Sequence, residues 1–450
     1  MLLLCSCRSF WWSWGMSKWQ TDTLGGVASI RRGIGYSDAT LEQNPQDGLP
    51  YLNMKSFLKD GGYNKNGLKF FSGYFTKADV ITEEDLLIAN TDVTPGGDII
   101  GVPALLPEML RHEKVLFSHH VTRLHLNEQL DPNFLYYLLC TDSYRRSMRK
   151  YARGTTVLML DMAGIKRMPI MYPQSKLMQG NIATILSTID TAIEQTEALI
   201  EKYQHIKAGL MHDLFTRGVL PNGELRPPRE EAPELYQDTA IGWIPNEWTL
   251  VELESLLAPV PNNIRSGPFG SALLKGELVE TGIPFLGIDN IHVECFNDDY
   301  RRFVSPKKFT ELAKYAVRKK DVIITIMGTV GRCCVVPETV EVALSSKHLW
   351  TMTFDLEKVI PRLICWQLNY SAWVKSWFRR ATQGGIMDAI QSSTLKRLVL
   401  PVPTMDEQLR IDVRYGFLTS RIDSEEQKLQ KLRLKKLGLM KVLFTDKVII

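Results

Sequence analysis

The sequence repeats itself, and the repeat limits what it can fold into. Lys207-Ala-Gly-Leu-Met-His-Asp-Leu-Phe-Thr-Arg-Gly-Val219 returns 229 residues later as Lys436-Leu-Gly-Leu-Met-Lys-Val-Leu-Phe-Thr-Asp-Lys-Val448, with 8 of 13 positions identical. At the same offset Gln179, Ile182, Ile193, Glu197 and Lys202 recur as Gln408, Ile411, Ile422, Glu426 and Lys431. Ile165-Lys-Arg-Met-Pro-Ile-Met-Tyr-Pro173 matches Leu395-Lys-Arg-Leu-Val-Leu-Pro-Val-Pro403 one residue out of step. Fainter echoes pair Glu84–Ala89 with Lys320–Thr325, Ser118-His-His-Val121 with Ser346-Lys-His-Leu349, and Trp19 with Trp248. Two copies at so long a period mean two modules of one architecture, similar in frame and divergent in content. A chain of 450 residues has room for them, each with its own core.

Each module reads in two parts. The first alternates short β-branched runs with Gly, Asn and Asp turns. Asp85–Ala89, Val115–Phe117, Asp321–Ile326 and Cys334–Val336 are expected as buried strands of an α+β domain. Pro132–Tyr151 and Pro361–Arg379 are expected as helices near the end of each domain.

The second part is a long helix with a heptad seam. Ile182, Ile189, Thr196, Tyr203 and Leu210 fall at position a, and Leu186, Ile193, Ile200, Lys207 and Leu214 at d. The same frame gives Ile411, Leu418, Glu425, Leu432 and Leu439, then Tyr415, Ile422, Leu429, Lys436 and Leu443. Two such helices of about 40 residues, each near 60 Å, are expected to pair as a coiled coil. Between 190 and 217 there are five acidic and three basic residues, against four acidic and eight basic between 421 and 447. That asymmetry favours pairing with each other. The alternative is that each helix packs only on its own domain. Lys207 and Lys436 in the seam are either register devices, contacts to a further partner, or side chains that reach back to solvent. The proline-bearing stretch 220–245 reads as a linker without elements of its own.

Several classes are excluded. Seven cysteines, an odd number with no CxxC pair, give neither a disulfide framework nor a zinc site and point to a reduced, cytoplasmic protein. No run approaches the roughly 18 apolar residues of a membrane span. There is no phosphate-binding glycine loop, no Asn/Asp-Pro-Pro-aromatic methyltransferase motif, and no HExxH or GxSxG signature. The net charge of +4 allows nucleic-acid binding through local patches. The opening MLLLCSCRSFWWSWG is neither signal peptide nor domain, and Met16 is expected to be the true start.

Two divergent α+β domains, each followed by a long helix ending Lys-x-Gly-Leu-Met-x-x-Leu-Phe-Thr, resemble the specificity subunits of type I restriction–modification enzymes. Gly242-Trp-Ile-Pro-Asn-Glu-Trp248, Gly328-Thr-Val-Gly331 and Asn181–Asp190 add to the likeness, which covers Met16 to Val448. The resemblance implies a non-catalytic DNA-binding subunit. Its target recognition domains would occupy 16–172 and 246–403, its spacer helices 173–219 and 404–448, with 220–245 between them. The helices would pair as an antiparallel coiled coil. Double-stranded DNA, two methyltransferase subunits and two restriction (motor-nuclease) subunits are the implied partners. S-adenosylmethionine, ATP and magnesium would belong to those partners, with none in this chain.

Candidate base readers in the first domain are Arg31, Arg32, Tyr36, Asn53, Lys55, Asn90, Thr91, His119, His120 and Arg153. In the second they are Ser266, Phe269, Ser271, Asn290, Thr329, Arg332, Lys347, His348 and Gln383. Arg suits guanine edges, and Asn or Gln suits adenine. Leu210, Met211, Leu214 and Phe215, with their copies Leu439, Met440, Leu443 and Phe444, are the candidate docking residues for the methyltransferase subunits. The competing reading is a stand-alone or fused DNA methyltransferase or restriction enzyme.

Overall fold

The computed structural model describes residues 19–444, except 43, 95 and 383–389, with no side chains described at 381 and 382. Met16, Gln383 and the end of the second repeat copy therefore lie outside the described residues. The chain divides into two compact units, one running to Ala198 and resuming at Glu426, the other spanning Leu199–Glu425.

In the first unit an antiparallel sheet runs in the order Ala28–Arg32, Val121–Leu126, Asp85–Ala89, Pro103–Leu105. Asp85–Ala89 is buried throughout, Leu86 to Ala89 as an apolar run at the sheet centre and Asp85 through its contact with His125 at 2.8 Å. Trp19–Thr23 pairs with Pro169–Pro173 and closes the unit. In the second unit Ile264–Arg265, Leu349–Met352, Val322–Thr325 and Cys333–Val335 form a sheet of the same order, and Thr249–Glu252 pairs with Val399–Val402. The two halves thus share their strand topology as well as their repeat.

Each expected domain-end helix is two helices. Pro132–Leu139 starts on the Asp131 cap, whose carboxylate accepts from Phe134 N at 2.9 Å, and stops before Asp142–Lys150. Extended backbone at Thr141 makes the break, with its hydroxyl turned back to Leu138 O. In the second copy, extended backbone at Ser371 separates Pro361–Tyr370 from Ala372–Thr382.

The long helices span Lys176–Thr216 and Met405–Phe444. Buried glutamines at the same repeat position seat them. Gln179 Oε1 accepts from Asp131 N at 2.8 Å while its amide donates to Gln129 O and Pro173 O. Gln408 does the same with Ile360 N, Lys358 O and Pro403 O. None of the heptad a and d positions is exposed. Within the first unit Lys436 meets Asp190 at 2.6 Å and Arg433 meets Glu197 at 2.7 Å, so the two segments run antiparallel there. Within the second, Lys207 lies over the Tyr415 ring at 4.8 Å and bonds Glu294 at 2.8 Å. Both seam lysines are therefore paired with a carboxylate of this chain.

The candidate docking residues need correcting. Leu443 and Phe444 are buried in the first unit's core, with Leu439 and Met440 packed beside them and Phe444 5.7 Å from Phe134. Met211 and Leu214 are buried in the second unit with Trp248, Trp366, Ile411 and Tyr415, and Phe215 stands edge-on to Trp366. Met211, Phe215, Met440 and Phe444 are apolar outside the a/d seam because each unit takes up a helix end as part of its core. Their likeness follows from two equivalent sockets. Met211, Leu214, Leu443 and Phe444 are buried and present no docking surface, while Leu210, Phe215, Leu439 and Met440 stay half-buried.

The stretch 220–245 is also more than a linker. Tyr236–Thr239 and Gly242–Pro245 form a hairpin, and Arg226 is buried against Glu407. Among the described residues no helix is long and apolar enough to cross a membrane.

Candidate nucleic-acid interface

One backbone cradle is built in both units. Gly33 crosses Phe117 so closely that a Cβ would sit 2.0 Å from Phe117 O, and at Gly267 a Cβ would sit 2.0 Å from Ser345 O. Ser118 N donates to Leu52 O at 2.8 Å, and Ser346 N to Leu286 O at 3.1 Å. Asn90 N donates to His120 O, as Ile326 N does to His348 O. His119-His120 and Lys347-His348 are thereby displayed from the same scaffold with different chemistry. This is how a rigid frame carries variable recognition.

In the first unit the cradle gathers Arg32, Tyr36, His119 and His120. The two imidazoles lie 3.9 Å apart, and Tyr36 is 5.5 Å from His119 and 6.1 Å from His120. Tyr36 is exposed and rests edge-on against Tyr51, whose hydroxyl donates to Ile34 O. Burial, then His119 and Arg32, hold the His120 pKa below the ordinary histidine value of 6.5. Its Nδ1 lies 2.8 Å from the Thr91 hydroxyl, which leaves the other ring nitrogen for a ligand.

Other first-domain candidates play supporting parts. Asn90 and Thr91 are buried, so they hold the readers and cannot reach a groove. The Asn90 carboxamide, with its oxygen toward Arg32, accepts from Nε at 3.0 Å. Asn53 spends its side chain on Lys55 N and Gly67 O, while Lys55 is exposed. Arg31, next to Arg32 on the strand, points to the opposite face and pairs with Asp79 at 2.6 Å. Arg153 shares a row of a three-stranded sheet with Met159 and Thr91 and pairs with Asp161 at 2.6 Å.

In the second unit Arg332, Lys347 and His348 line a cleft of about 600 Å³ together with Asp289, Arg302 and Ser346. Arg302 bonds Asp289, which fixes the guanidinium in the wall. Burial, then Lys347 and Arg302, lower the His348 pKa, as happens at His120. Phe269 is exposed between two residues that line the cleft, and Ser271 is exposed just beyond. Thr329 is exposed on the turn between Gly328 and Val330. Ser266 and Asn290 are corrections. Ser266 is buried and donates to Lys347 O at 3.2 Å. Asn290 is buried, accepting from Gly287 N and donating to Asn297 O. Both brace the cradle.

Residues 16–203 match the model of the type I restriction modification DNA specificity domain. The MjaVIII type I restriction enzyme specificity subunit of Methanocaldococcus jannaschii is 23% identical over 89% of this chain and 86% of its own. The EcoBI specificity subunit of Escherichia coli is 20% identical over 91% of this chain and 81% of its own. The chain is similar to type I restriction–modification specificity subunits along most of its length. The solved S subunit from M. genitalium shares the fold at a TM-score of 0.58, with 16% identity across 96% of this chain and 97% of that one. A structure described as showing complex assembly and conformational transition of the type I R-M system shares it at 0.50, with 15% identity over 95% and 97%.

A specificity subunit recognises DNA and leaves catalysis to others, and the two cradles suit that division of labour. They offer cationic, aromatic and imidazole groups on rigid supports. Among the described residues no group of three His, Cys, Asp or Glu is placed to hold a metal. Met159, Asp289, Arg302 and His292 join the two sites without having been singled out in the sequence. Arg32 reaches the Met159 sulfur at 3.6 Å, and His292 and Arg302 line the second cleft. The only sequence signal of Asp289, His292 and Arg302 was polarity, which many other residues share, and Met159 carried none.

Proposed function

We propose that this specificity subunit reads a bipartite DNA site, one half through each cradle. The recognition domains span 16–172 and 246–403. The helices of 173–219 and 404–448 act as spacers, and 220–245 connects them. The helices pair as an antiparallel coiled coil, which the opposed order of contacts within the first unit supports. Two methyltransferase subunits dock on this frame and bring two restriction subunits to it, in the cytoplasm. S-adenosylmethionine, ATP and magnesium are bound by those partners. The readers are Arg32, Tyr36, Lys55, His119, His120 and Arg153 in one domain, and Phe269, Ser271, Thr329, Arg332, Lys347 and His348 in the other. The observation that carries this reading is the duplicated cradle: one backbone arrangement displays different side chains in each half. Two readers on a rigid spacer give two specified patches with an unread gap.

Selection from a random duplex library by the subunit assembled with its methyltransferase will return two specified patches at a fixed separation. A single uninterrupted motif would overturn the proposal.

The histidines add a pH signature. Their folded pKa values lie below 6.5, so both are neutral at pH 7 and their contribution is flat from there to pH 8. Below 6.5 they take up protons, add positive charge at the DNA, and tighten binding. The unfolded chain protonates first, so their contribution to stability is present above pH 6.5 and is lost as pH falls. A His120→Ala/His348→Ala variant measured by fluorescence anisotropy will lose the acid-side rise. An unchanged profile would remove these histidines from the interface.

A further inference from the structure

In both halves the second of the paired domain-end helices carries a basic pair one turn apart. On Ala372–Thr382 it is Lys375 and Arg379, both exposed. At the repeat offset of 229, on Asp142–Lys150, it is Arg146 and Lys150, both exposed. The first-unit helix uses its other arginines inward. Arg145 donates to Ile100 O at 2.7 Å and to Asp98 O at 2.9 Å, and Arg149 to Gly97 O at 3.3 Å. Arg146 and Lys150 are thus the pair left on the outer face.

The neighbouring surface in the second unit is suited to an anion. Lys375 and Arg379 line a cavity of about 920 Å³ with Arg332, and among the described residues no carboxylate contributes to its wall. Gly328 and Gly331, also in the wall, adopt positive φ of 75° and 92°. Their turn lets backbone come close to a ligand without a side chain intervening.

The cradle residues change between the halves while this charge persists. Side chains that read bases must differ between two half-sites. Side chains that grip the duplex meet phosphate whatever the sequence. We infer that Lys375 with Arg379, and Arg146 with Lys150, are the phosphate contacts that position each recognition domain on double-stranded DNA. This rests on the reading of the chain as a DNA-recognising subunit, and it separates the groups that position from those that specify.

The test is a salt titration of the full chain on two labelled duplexes, one carrying its selected target and one a scrambled sequence. Each phosphate contact contributes about 0.9 to the slope of log affinity against log salt. Lys375→Gln with Arg379→Gln will lower that slope by about 2. Between 50 and 200 mM salt the variant will lose about tenfold less affinity than the parent, on both duplexes alike. The preference for target over scrambled duplex will stay as in the parent. Arg146→Gln with Lys150→Gln will do the same through the other domain, which guards against one variant failing to fold. Lys375→Arg with Arg379→Lys will keep the parental slope. An unchanged slope in a variant that melts like the parent overturns the inference, as does a loss of target preference, which would make these residues base readers. A parent chain that binds both duplexes equally overturns the recognition reading itself.

Discussion

Glu407→Ala will destabilise the chain by about 3–5 kcal/mol, the cost of leaving a buried charge without its partner. Glu407 and Arg226 have side chains only 2% and 3% exposed. The carboxylate takes Arg226 through both oxygens, one of them at 2.9 Å, and accepts Val219 N at 2.8 Å. Removing it leaves a guanidinium inside the protein whose other carboxylate contact is Glu247, half exposed at 3.1 Å. The pair ties the end of the first long helix to the start of the second, so the loss reaches the core around Trp248 and Trp366. Denaturation followed by tryptophan fluorescence reads that core directly. Arg226→Met combined with Glu407→Leu, which removes both charges, will recover most of the loss. A shift below about 1 kcal/mol in Glu407→Ala would mean the pair is solvated and unimportant.

A chain truncated after Pro228 will assemble as a two-fold dimer and, with the methyltransferase, modify a palindrome. The fragment keeps the first recognition domain but lacks Leu443 and Phe444, which fill that domain's core beside Phe134. It also keeps Leu210, Met211, Leu214 and Phe215 without the Trp248, Trp366 and Ile411 that cover them in the whole chain. The two deficits are complementary, because Leu210, Leu214 and Phe215 stand one repeat offset from Leu439, Leu443 and Phe444. An isologous dimer lets each copy's helix end fill the other copy's core. The acidic bias of the first helix makes this pairing weaker than the native one, so association needs high concentration or the methyltransferase present. Sedimentation will show the dimer, and methylation mapping will show the first half-site facing its inverted copy. A folded monomer, or modification confined to asymmetric sites, would defeat the equivalence of the halves.

Much of this architecture could be read from the sequence because it rests on periodicity. The heptad positions and the recurrence of Gln179 as Gln408 need no knowledge of which chain segments meet. Burial was harder to read. Asn90, Thr91, Ser266 and Asn290 are small polar residues near glycine turns, as groove readers are. Only their burial and hydrogen bonds show that they brace the loops, Thr91 and Ser266 to distant segments and Asn290 within its own loop. Phe444 and Met211 failed for a related reason. An apolar side chain outside a seam has the same sequence signature whether it covers a partner or completes a core more than 100 residues away. Arg302 was missed because its place in the cleft depends on Lys347 and His348 being folded next to it.

The plugging of each core by a distant helix end also sets an order of events during synthesis. Phe134 and Leu135 leave the ribosome about 300 residues before Leu443 and Phe444, the side chains that complete their surroundings. The first recognition domain therefore waits, with an apolar hole, until the second long helix has emerged. A frameshift or stop before codon 443 does its damage in the domain that was made first.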